Sequence, residues 1–278
     1  MEEFLPITSI PDSQFEAIVQ ELATFSVGFL RVEDTPQGQD ASLLGSGTLV
    51  AIGNTRAILT AHHVVRVLPR SGRLGLILSP TLQQHTIDTQ GVTFLEIERG
   101  VEDSAGPDIG AVLLSPSIAT AIGTKKTFYN LDLRRDTLLH WPPDRRDGVW
   151  FVHGFIDENT VEEPGTAQYS RVKRFYSLSG AGGPDEAVQV GKHDYFAFPV
   201  SYGGRSVAPT SFGGISGGGL WQVPLVRDDK GDLRHKTPLL SGIVFFQVPT
   251  TPTQCGVKCH GRSSVYGVAY EAIKGAAP

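Results

Sequence analysis

The 278-residue chain has little cysteine, a single methionine, no excess of positive charge and no long apolar run. Two Cys residues argue against a disulfide-rich secreted protein. A net charge of −5 leaves no general basic surface to hold a phosphate backbone, so we expect no nucleic-acid partner. The longest apolar runs, such as 149–152 and 242–246, are far shorter than the roughly 18 residues of a membrane span, so we expect no membrane partner.

The start of the chain lacks the pattern of a secretory signal. Glu2 and Glu3 follow Met1 where a signal peptide carries basic residues, and Pro6 and Pro11 interrupt the apolar stretch. This predicts a cytoplasmic protein.

Glycine and proline, at 32 and 18 residues, are plentiful. They separate a dozen short apolar runs, which are 26–32, 45–52, 56–61, 74–79, 92–98, 109–115, 149–154, 168–179, 195–200, 218–224, 239–247 and 264–270. Short strands with turn residues between them predict an all-β barrel or sandwich. The polar stretch 116–148 predicts a connection between two strand-rich halves.

An amphipathic helix precedes the strands. Apolar residues recur at helical spacing between 15 and 23, and Ser13 with Glu16 has the pattern of a capping box. We expect this helix to pack on the side of the β domain. A cleavable pro-segment and a partner-binding helix are the alternatives.

Three separated segments carry the residue types of acyl transfer. An apolar strand ends on Thr60 and Ala61 and is followed by His62 and His63, Asp108 opens a second apolar strand, and Ser216 lies in the glycine-rich segment 213–219. A serine hydroxyl becomes a good nucleophile when an imidazole takes its proton, and an acid on the other ring nitrogen fixes the tautomer. Glycines beside the serine allow the backbone angles of a nest of N–H donors for the oxyanion.

In this order the segments resemble the chymotrypsin-like (trypsin-fold) serine peptidases, whose catalytic residues come as His, Asp, Ser. The similarity is closest to the bacterial HtrA-like branch, through 45–47 and 59–65, without a PDZ-like segment behind it. Further similarities lie at 152–155, 240–244 and 265–268, the last resembling the final strand of the fold. The resemblance spans about 26–272.

The resemblance implies two six-stranded antiparallel β-barrels with the site in the cleft between them. The first barrel would take about 26–120, a linker about 121–148 and the second barrel about 149–272, with residues 1–25 as a helical extension. The implied activity is that of a serine endopeptidase working through an acyl-enzyme on a protein or peptide, without metal or organic cofactor. The alternatives are a latent enzyme that needs a separate activating protein and a non-catalytic protein of the same fold that binds a partner.

Carried over residue by residue, Ser216 is the nucleophile, His63 the general base and Asp108 the acid that orients His63. The N–H groups of Gly214 and Ser216 would form the oxyanion hole. Trypsin-type zymogens have an aspartate where this chain has Ile215, so activation by a newly cut N-terminus is not expected.

Two neighbours compete with these assignments. The family places one residue between Ala61 and the catalytic histidine, which favours His63 over His62, and strand alternation would point His62 the opposite way. Asp103 competes with Asp108 but lacks the apolar strand that follows Asp108.

By register, Thr210 lies at the base of the substrate pocket, with Phe245, Gln247 and Ser264 beside it. None is charged, so a preference for Arg or Lys has no counter-ion, and we expect a pocket for apolar or small polar side chains. The family often has a serine at the position of Phe245 that donates to the catalytic acid, so Asp108 is expected to lose one partner.

Cys255 and Cys259, with His260 adjacent, offer three of the about four ligands that zinc needs. Two reduced thiols in a loop, a local disulfide and a redox-sensitive clasp remain the alternatives.

Overall fold

The computed structural model describes residues 9–36, 38–79, 85–102, 104–164, 171–201, 209, 211–248 and 254–276. A helix, α1 (Asp12–Thr24), precedes two sheets whose strands are nearly all antiparallel. The predicted class, all-β with an N-terminal helix, is confirmed. None of the described helices is long and apolar enough to cross a membrane.

The first sheet uses the chain between 26 and 130. Its strands are β1 (Ser26–Thr35), β2 (Gly38–Ile52), β3 (Thr55–Thr60), β4 (Arg73–Ile77), β5 (His85–Asp88), β6 (Val92–Arg99), β7 (Asp108–Leu114) and β8 (Tyr129–Asn130). They pair in the order β5-β4-β1-β2-β3-β7-β6, and β8 joins β2 in parallel. Helix α2 (His62–Val67) follows β3, while α3 (Pro116–Gly123) and α4 (Arg135–His140) lie in the connection to the second sheet.

The second sheet uses the chain between 149 and 260. Its strands are β9 (Val149–Pro164), β10 (Arg171–Gly182), β11 (Val188–Val190), β12 (His193–Ser201), β13 (Gly219–Val223), β16 (Leu239–Val248) and β17 (Gln254–His260). They pair in the order β10-β9-β13-β16-β17-β12-β11. Strands β14 (Leu225–Arg227) and β15 (Leu233–His235) form a separate hairpin, and a π-helix (Ser263–Ala269) leads into α5 (Tyr270–Gly275).

Both sheets repeat one strand arrangement. With the short strands β5, β8 and β11 set aside, each sheet has six strands, numbered 1 to 6 in chain order. The first sheet then pairs as 4-1-2-3-6-5 and the second as 2-1-4-5-6-3. When the two ends of each strand order are joined into a ring, and the ring is read from strand 1 toward strand 2, both sheets give the order 1-2-3-6-5-4. The two six-stranded units that the sequence predicted are therefore present.

Each sheet curls around a core of its own. In the first, Leu76 of β4 and Phe94 of β6 come from opposite ends of the strand order and contact the same buried cluster. In the second, Phe198 of β12 and Leu178 of β10 do the same. A flat sheet cannot bring both of its ends to one core, so the curling is that of a barrel.

Helix α1 closes the seam between the sheets. Its residues Ile18 and Leu22 are buried, and the ring of Phe15 lies 5.4 Å from that of Phe151 in β9. The predicted capping box is not formed, because the helix begins after Pro11, two residues before the Ser13 position that the pattern requires. No side chain caps its first turn.

The predicted strand 264–270, and with it the resemblance of 265–268 to a final strand, is wrong. These residues form the π-helix and the start of α5, and the last strand is β17. The Asp194 carboxylate accepts the N–H groups of Ser263 and Ser264, over 3.1 and 2.9 Å, and so caps the start of the helix. A short apolar run does not by itself distinguish a strand from a buried helical segment.

Two fully buried imidazoles make stability depend on pH. Burial, with the charge of Lys126, lowers the pKa of His153 to about 3, and burial, with His193, lowers that of His260 to about 3. An exposed histidine in the unfolded chain has a pKa of about 6.5, so below that pH the unfolded chain binds two protons that the folded chain refuses. The stability is complete above pH 6.5 and is lost as the pH falls toward 3.

We expect each of the two histidines to lower the free energy of unfolding by about 1.4 kcal/mol per pH unit between about pH 6 and pH 4. Urea unfolding at several pH values measures the slope. His153→Gln should remove one of the two contributions, and a slope unchanged in that variant would contradict the assignment.

Candidate active site

Two hydrogen bonds join His63 to Asp108 at the place where β3 ends and β7 begins. Strand β3 ends at Thr60 and the chain turns into α2, so His63 lies on the first turn of a helix. Its Nδ1 is 2.5 Å from Asp108 Oδ2, and its backbone N–H donates to Asp108 Oδ1 over 2.9 Å. Since Nδ1 faces the carboxylate, Nε2 is the nitrogen left to accept a proton from another group.

The charge of Asp108 suits this pairing. Burial raises the pKa of its carboxyl, but the hydrogen bonds and charge of His63 outweigh burial, and the pKa lies below its usual value. Asp108 is therefore ionised at neutral pH and favours the His63 tautomer with its proton on Nδ1.

The structure places His63, and not His62, against Asp108. The His62 side chain is 8% exposed and its Nε2 lies 3.4 Å from Glu96, whereas the His63 side chain is 46% exposed. Strand alternation is the wrong reason for their opposite directions, because both lie in α2, where successive residues are about 100° apart. Asp103, the competitor of Asp108, lies outside the described residues.

Ser216 lies in a loop of two consecutive tight turns before β13. The Ile215 N–H donates to the Phe212 carbonyl over 3.0 Å, and the Gly218 N–H donates to the Ile215 carbonyl over 2.8 Å. The third residues of these turns, Gly214 and Gly217, have φ of +95° and +90°. Type II turns require such angles, which explains the glycines on either side of the serine.

Strand β2 of the first sheet holds this loop. The Ser46 N–H donates to the Ser216 carbonyl and the Ser46 hydroxyl to the Gly214 carbonyl, both over 2.8 Å. The Ser46 hydroxyl also accepts the Phe155 N–H over 2.8 Å. The fully buried Ser46 thus joins the serine loop and β9 to the first sheet.

Gly217 sets how closely the two sheets approach. A Cβ there would lie 2.1 Å from the Ser46 carbonyl oxygen and 2.1 Å from Thr60 Oγ1. Thr60 is three residues before His63, so the missing Cβ lets the Ser216 loop lie directly beside the end of β3.

The Ser216 hydroxyl is directed to the second sheet. It lies 3.5 Å from the Phe245 carbonyl oxygen and makes no hydrogen bond with His63 in this structure. The Phe245 ring in turn lies 4.6 Å from that of His260, whose Nε2 accepts the Asp108 N–H over 3.0 Å. His63, Asp108 and Ser216 are therefore linked through neighbouring contacts, the first two directly.

Three of the four predicted pocket residues, Phe245, Gln247 and Ser264, are described, and the structure does not bring their side chains together. Gln247 reaches the serine loop, where its Oε1 accepts the Phe212 N–H over 2.9 Å. Thr210 lies outside the described residues.

The side chains of Phe245 and Ser264 are buried and do not line a pocket, which corrects the prediction for these side chains, while the Phe245 carbonyl stays beside Ser216. The Phe245 ring is buried against His260 and Tyr195. Ser264 is fully buried in the π-helix, where its hydroxyl accepts the Asp194 N–H over 3.1 Å, so it cannot contact a substrate.

Sequence reasoning missed His260. The alternatives for Cys255 and Cys259 all place them in a loop, whereas 255–260 lies in β17. Cys259 is free and fully buried, and burial raises the pKa of its thiol well above its usual value, which makes it unreactive. The Cys255 side chain lies outside the description. The alternation of Val257 and Cys259 toward the core is the signal that could have revealed the strand.

No three His, Cys, Asp or Glu side chains in the described ranges form a group that could hold a metal ion. What the His63–Asp108 pair and the neighbouring hydroxyl offer is proton transfer to and from an imidazole.

Similarity to known proteins is confined to solved structures. No protein-family model matches the chain, and no curated protein matches it in sequence. The structure of an HtrA-type protease, AlgW with a decapeptide, is 12% identical with a TM-score of 0.49, over 94% of this chain and 68% of that chain. The tobacco vein mottling virus protease is 11% identical with a TM-score of 0.39, over 86% of this chain and 78% of that chain.

At this identity and overlap, neither structure says which residues of this chain perform chemistry. The fold is identified from the strand order of this chain's own two sheets. Two curled six-stranded units with one shared ring order are the chymotrypsin-like arrangement that the sequence resemblance implied.

Replacing Ser46 tests how the serine loop is held. Ser46→Ala leaves the buried Phe155 N–H and the partly buried Gly214 carbonyl without their partner. We expect a loss of about 1–3 kcal/mol in the free energy of unfolding, measured by urea titration. Ser42→Ala, at an exposed position of the same strand, is the matched control and should change little. Equal effects in the two variants would contradict the role given to Ser46.

Proposed function

We propose that the protein is a serine endopeptidase that cleaves a peptide bond of a protein or peptide through an acyl-enzyme. The His63–Asp108 pair, held beside the Ser216 loop, is the observation that carries this proposal. An ionised, buried carboxylate with two hydrogen bonds to one histidine is the arrangement that a general base needs.

In the proposed reaction, Ser216 Oγ attacks the carbonyl carbon while His63 Nε2 takes the hydroxyl proton. Asp108 stabilises the imidazolium that forms. His63 then gives the proton to the leaving amine, and a water molecule activated by the same imidazole hydrolyses the ester on Ser216. The hydroxyl must first rotate from the Phe245 carbonyl toward His63, and the present contact of 3.5 Å is a weak one to break.

The peptide planes of the serine loop support an oxyanion site at Gly214 and Ser216. The Gly213 carbonyl accepts the Asp157 N–H over 2.9 Å, so the Gly214 N–H, on the same peptide, points away from Asp157. The Ile215 carbonyl accepts the Gly218 N–H, which directs the Ser216 N–H outward in the same way. Within the described part of the chain, neither N–H has a protein acceptor.

Such donors cost no reorganisation when the oxyanion forms, because their planes are already fixed. Losing one donor of an oxyanion hole costs about 3–4 kcal/mol of transition-state stabilisation. Ile215 lies with its side chain in the core of the second sheet, so this position anchors the loop by apolar packing and offers no carboxylate to pair with a newly cut N-terminus.

The substrate class follows as part of the proposal. A pocket for apolar or small polar side chains, bounded on one side by Gln247, remains the expectation, with a specific protein in the cytoplasm as the substrate. Gln247 spans from β16 to the serine loop, where its Oε1 accepts the Phe212 N–H.

The direction of the Ser216 hydroxyl favours a second candidate, a latent form of the same enzyme. In this form the Ser216 hydroxyl would turn toward His63 only when a separate activating protein binds. A non-catalytic protein that binds a peptide in the cleft is the third possibility, and it predicts no covalent chemistry at Ser216.

Labelling with a fluorophosphonate, followed by intact-mass measurement, tests the proposal. We expect one adduct on the wild-type protein and none on Ser216→Ala or His63→Ala, because the reagent reacts only with an activated serine. Ser216→Ala should leave the melting temperature nearly unchanged, since it removes one long hydrogen bond.

Ser42→Ala, an exposed serine of β2, should be labelled as the wild-type protein is. An adduct that persists in Ser216→Ala would overturn the assignment of the nucleophile. A folded wild-type protein without any adduct would favour the latent or binding form.

A further inference from the structure

His260 is the last residue of β17, and it touches the acid of the other sheet. Its Nε2 accepts the backbone N–H of Asp108 over 3.0 Å, and its side chain is fully buried. Asp108 begins β7 of the first sheet, so this hydrogen bond crosses between the sheets.

The hydrogen bond fixes the tautomer of His260. A ring nitrogen that accepts a hydrogen bond carries no proton, so the neutral ring has its proton on Nδ1. The neutral state is secure at neutral pH, because burial, with the neighbouring His193, lowers the pKa of His260 to about 3.

The His260 ring has little freedom to turn away. It lies 4.6 Å from the Phe245 ring and 5.1 Å from the Tyr195 ring, measured between centroids. Phe245 also supplies the carbonyl that the Ser216 hydroxyl faces over 3.5 Å. One imidazole therefore contacts the backbone of the acid and the strand that faces the nucleophile.

We propose that His260 is a positioning residue that sets the place of Asp108, and through it of His63, relative to Ser216. The Asp108 carboxylate is only two bonds from its Cα, so fixing the backbone N–H fixes the origin of that short side chain. The inference rests on the proposed function for its effect on catalysis, but its structural part does not depend on peptidase activity.

The position of Phe245 explains why such support is needed. A phenyl ring offers no hydrogen-bond donor to the Asp108 carboxylate, and the donors to that carboxylate in the described residues are both on His63. The acid is therefore held from the second sheet through its backbone, by His260.

Two variants separate the effect of the hydrogen-bond acceptor of His260 from the effect of the size of its side chain. His260→Leu removes the acceptor, whereas His260→Gln offers Oε1 in a similar place. We expect His260→Leu to lower kcat for a peptide substrate by about 10- to 100-fold with little change in KM, because misplacement of the base affects the transition state. His260→Gln should recover most of the loss.

Proton NMR provides a readout that needs no activity. The His63 Nδ1–H shared with Asp108 should give a far-downfield resonance, which is shifted or lost in His260→Leu and present in His260→Gln. The matched control is His153→Leu, which alters an equally buried histidine that is hydrogen-bonded to Ser179. This variant should keep the resonance. A wild-type resonance in His260→Leu, or its loss in His153→Leu as well, would overturn the proposal.

A measurement on the wild-type protein does not depend on how the variants fold. With nitrogen-15 labelling, a scalar coupling across the hydrogen bond should connect Asp108 N with His260 Nε2. Absence of this coupling in the folded protein would overturn the proposal. If the coupling and the resonance behave as expected but no serine is labelled, the proposed function fails and the positioning of Asp108 is retained.

Discussion

The site depends on the hydrogen bonds that Ser46 makes across the two sheets. Neither curled sheet alone holds both the proposed base and the proposed nucleophile, since His63 and Asp108 belong to the first and Ser216 to the second. Ser46 uses its backbone N–H and its hydroxyl to hold two carbonyls of the serine loop. Both contacts are to main-chain atoms, so they set the position of the loop whatever its side chains are. A loop on a rigid scaffold gains the precision that catalysis needs.

Close approach is the second condition, and it is steric. Gly217 lies so near to Ser46 and Thr60 that any Cβ would overlap an oxygen atom of each. Moving the loop outward to relieve the overlap would break the Ser46 contacts and carry Ser216 away from the end of β3. The positive φ of Gly217 adds a conformational reason for the same residue. Glycine at 217 therefore allows both the close approach of the two sheets and the backbone angles of the turn.

Local patterns were sufficient where the structure is local. The predicted apolar runs that form β1 to β4, β6 and β7 are bounded by turn residues. The order of the motifs, through their family resemblance, proposed His63, Asp108 and Ser216 as the site. The helix at 263–275 was missed because a carboxylate 69 residues earlier, that of Asp194, caps it. The role of His260 was missed for the same reason, since the pairing of β17 with β12 and β16 places it. Contacts of high sequence separation leave no periodicity to detect.

The choice of a neutral imidazole beside Asp108 follows from electrostatics. A cation in the place of His260 would pull the buried carboxylate away from His63, and another carboxylate there would repel it. A neutral ring that accepts the Asp108 N–H satisfies that buried donor without adding charge, although its own Nδ1–H has no hydrogen-bond partner among the described residues. The low pKa of the buried His260 is the same property that lowers the stability of the fold in acid. Acid sensitivity and the support of Asp108 are thus two consequences of burying one imidazole at the contact between the sheets.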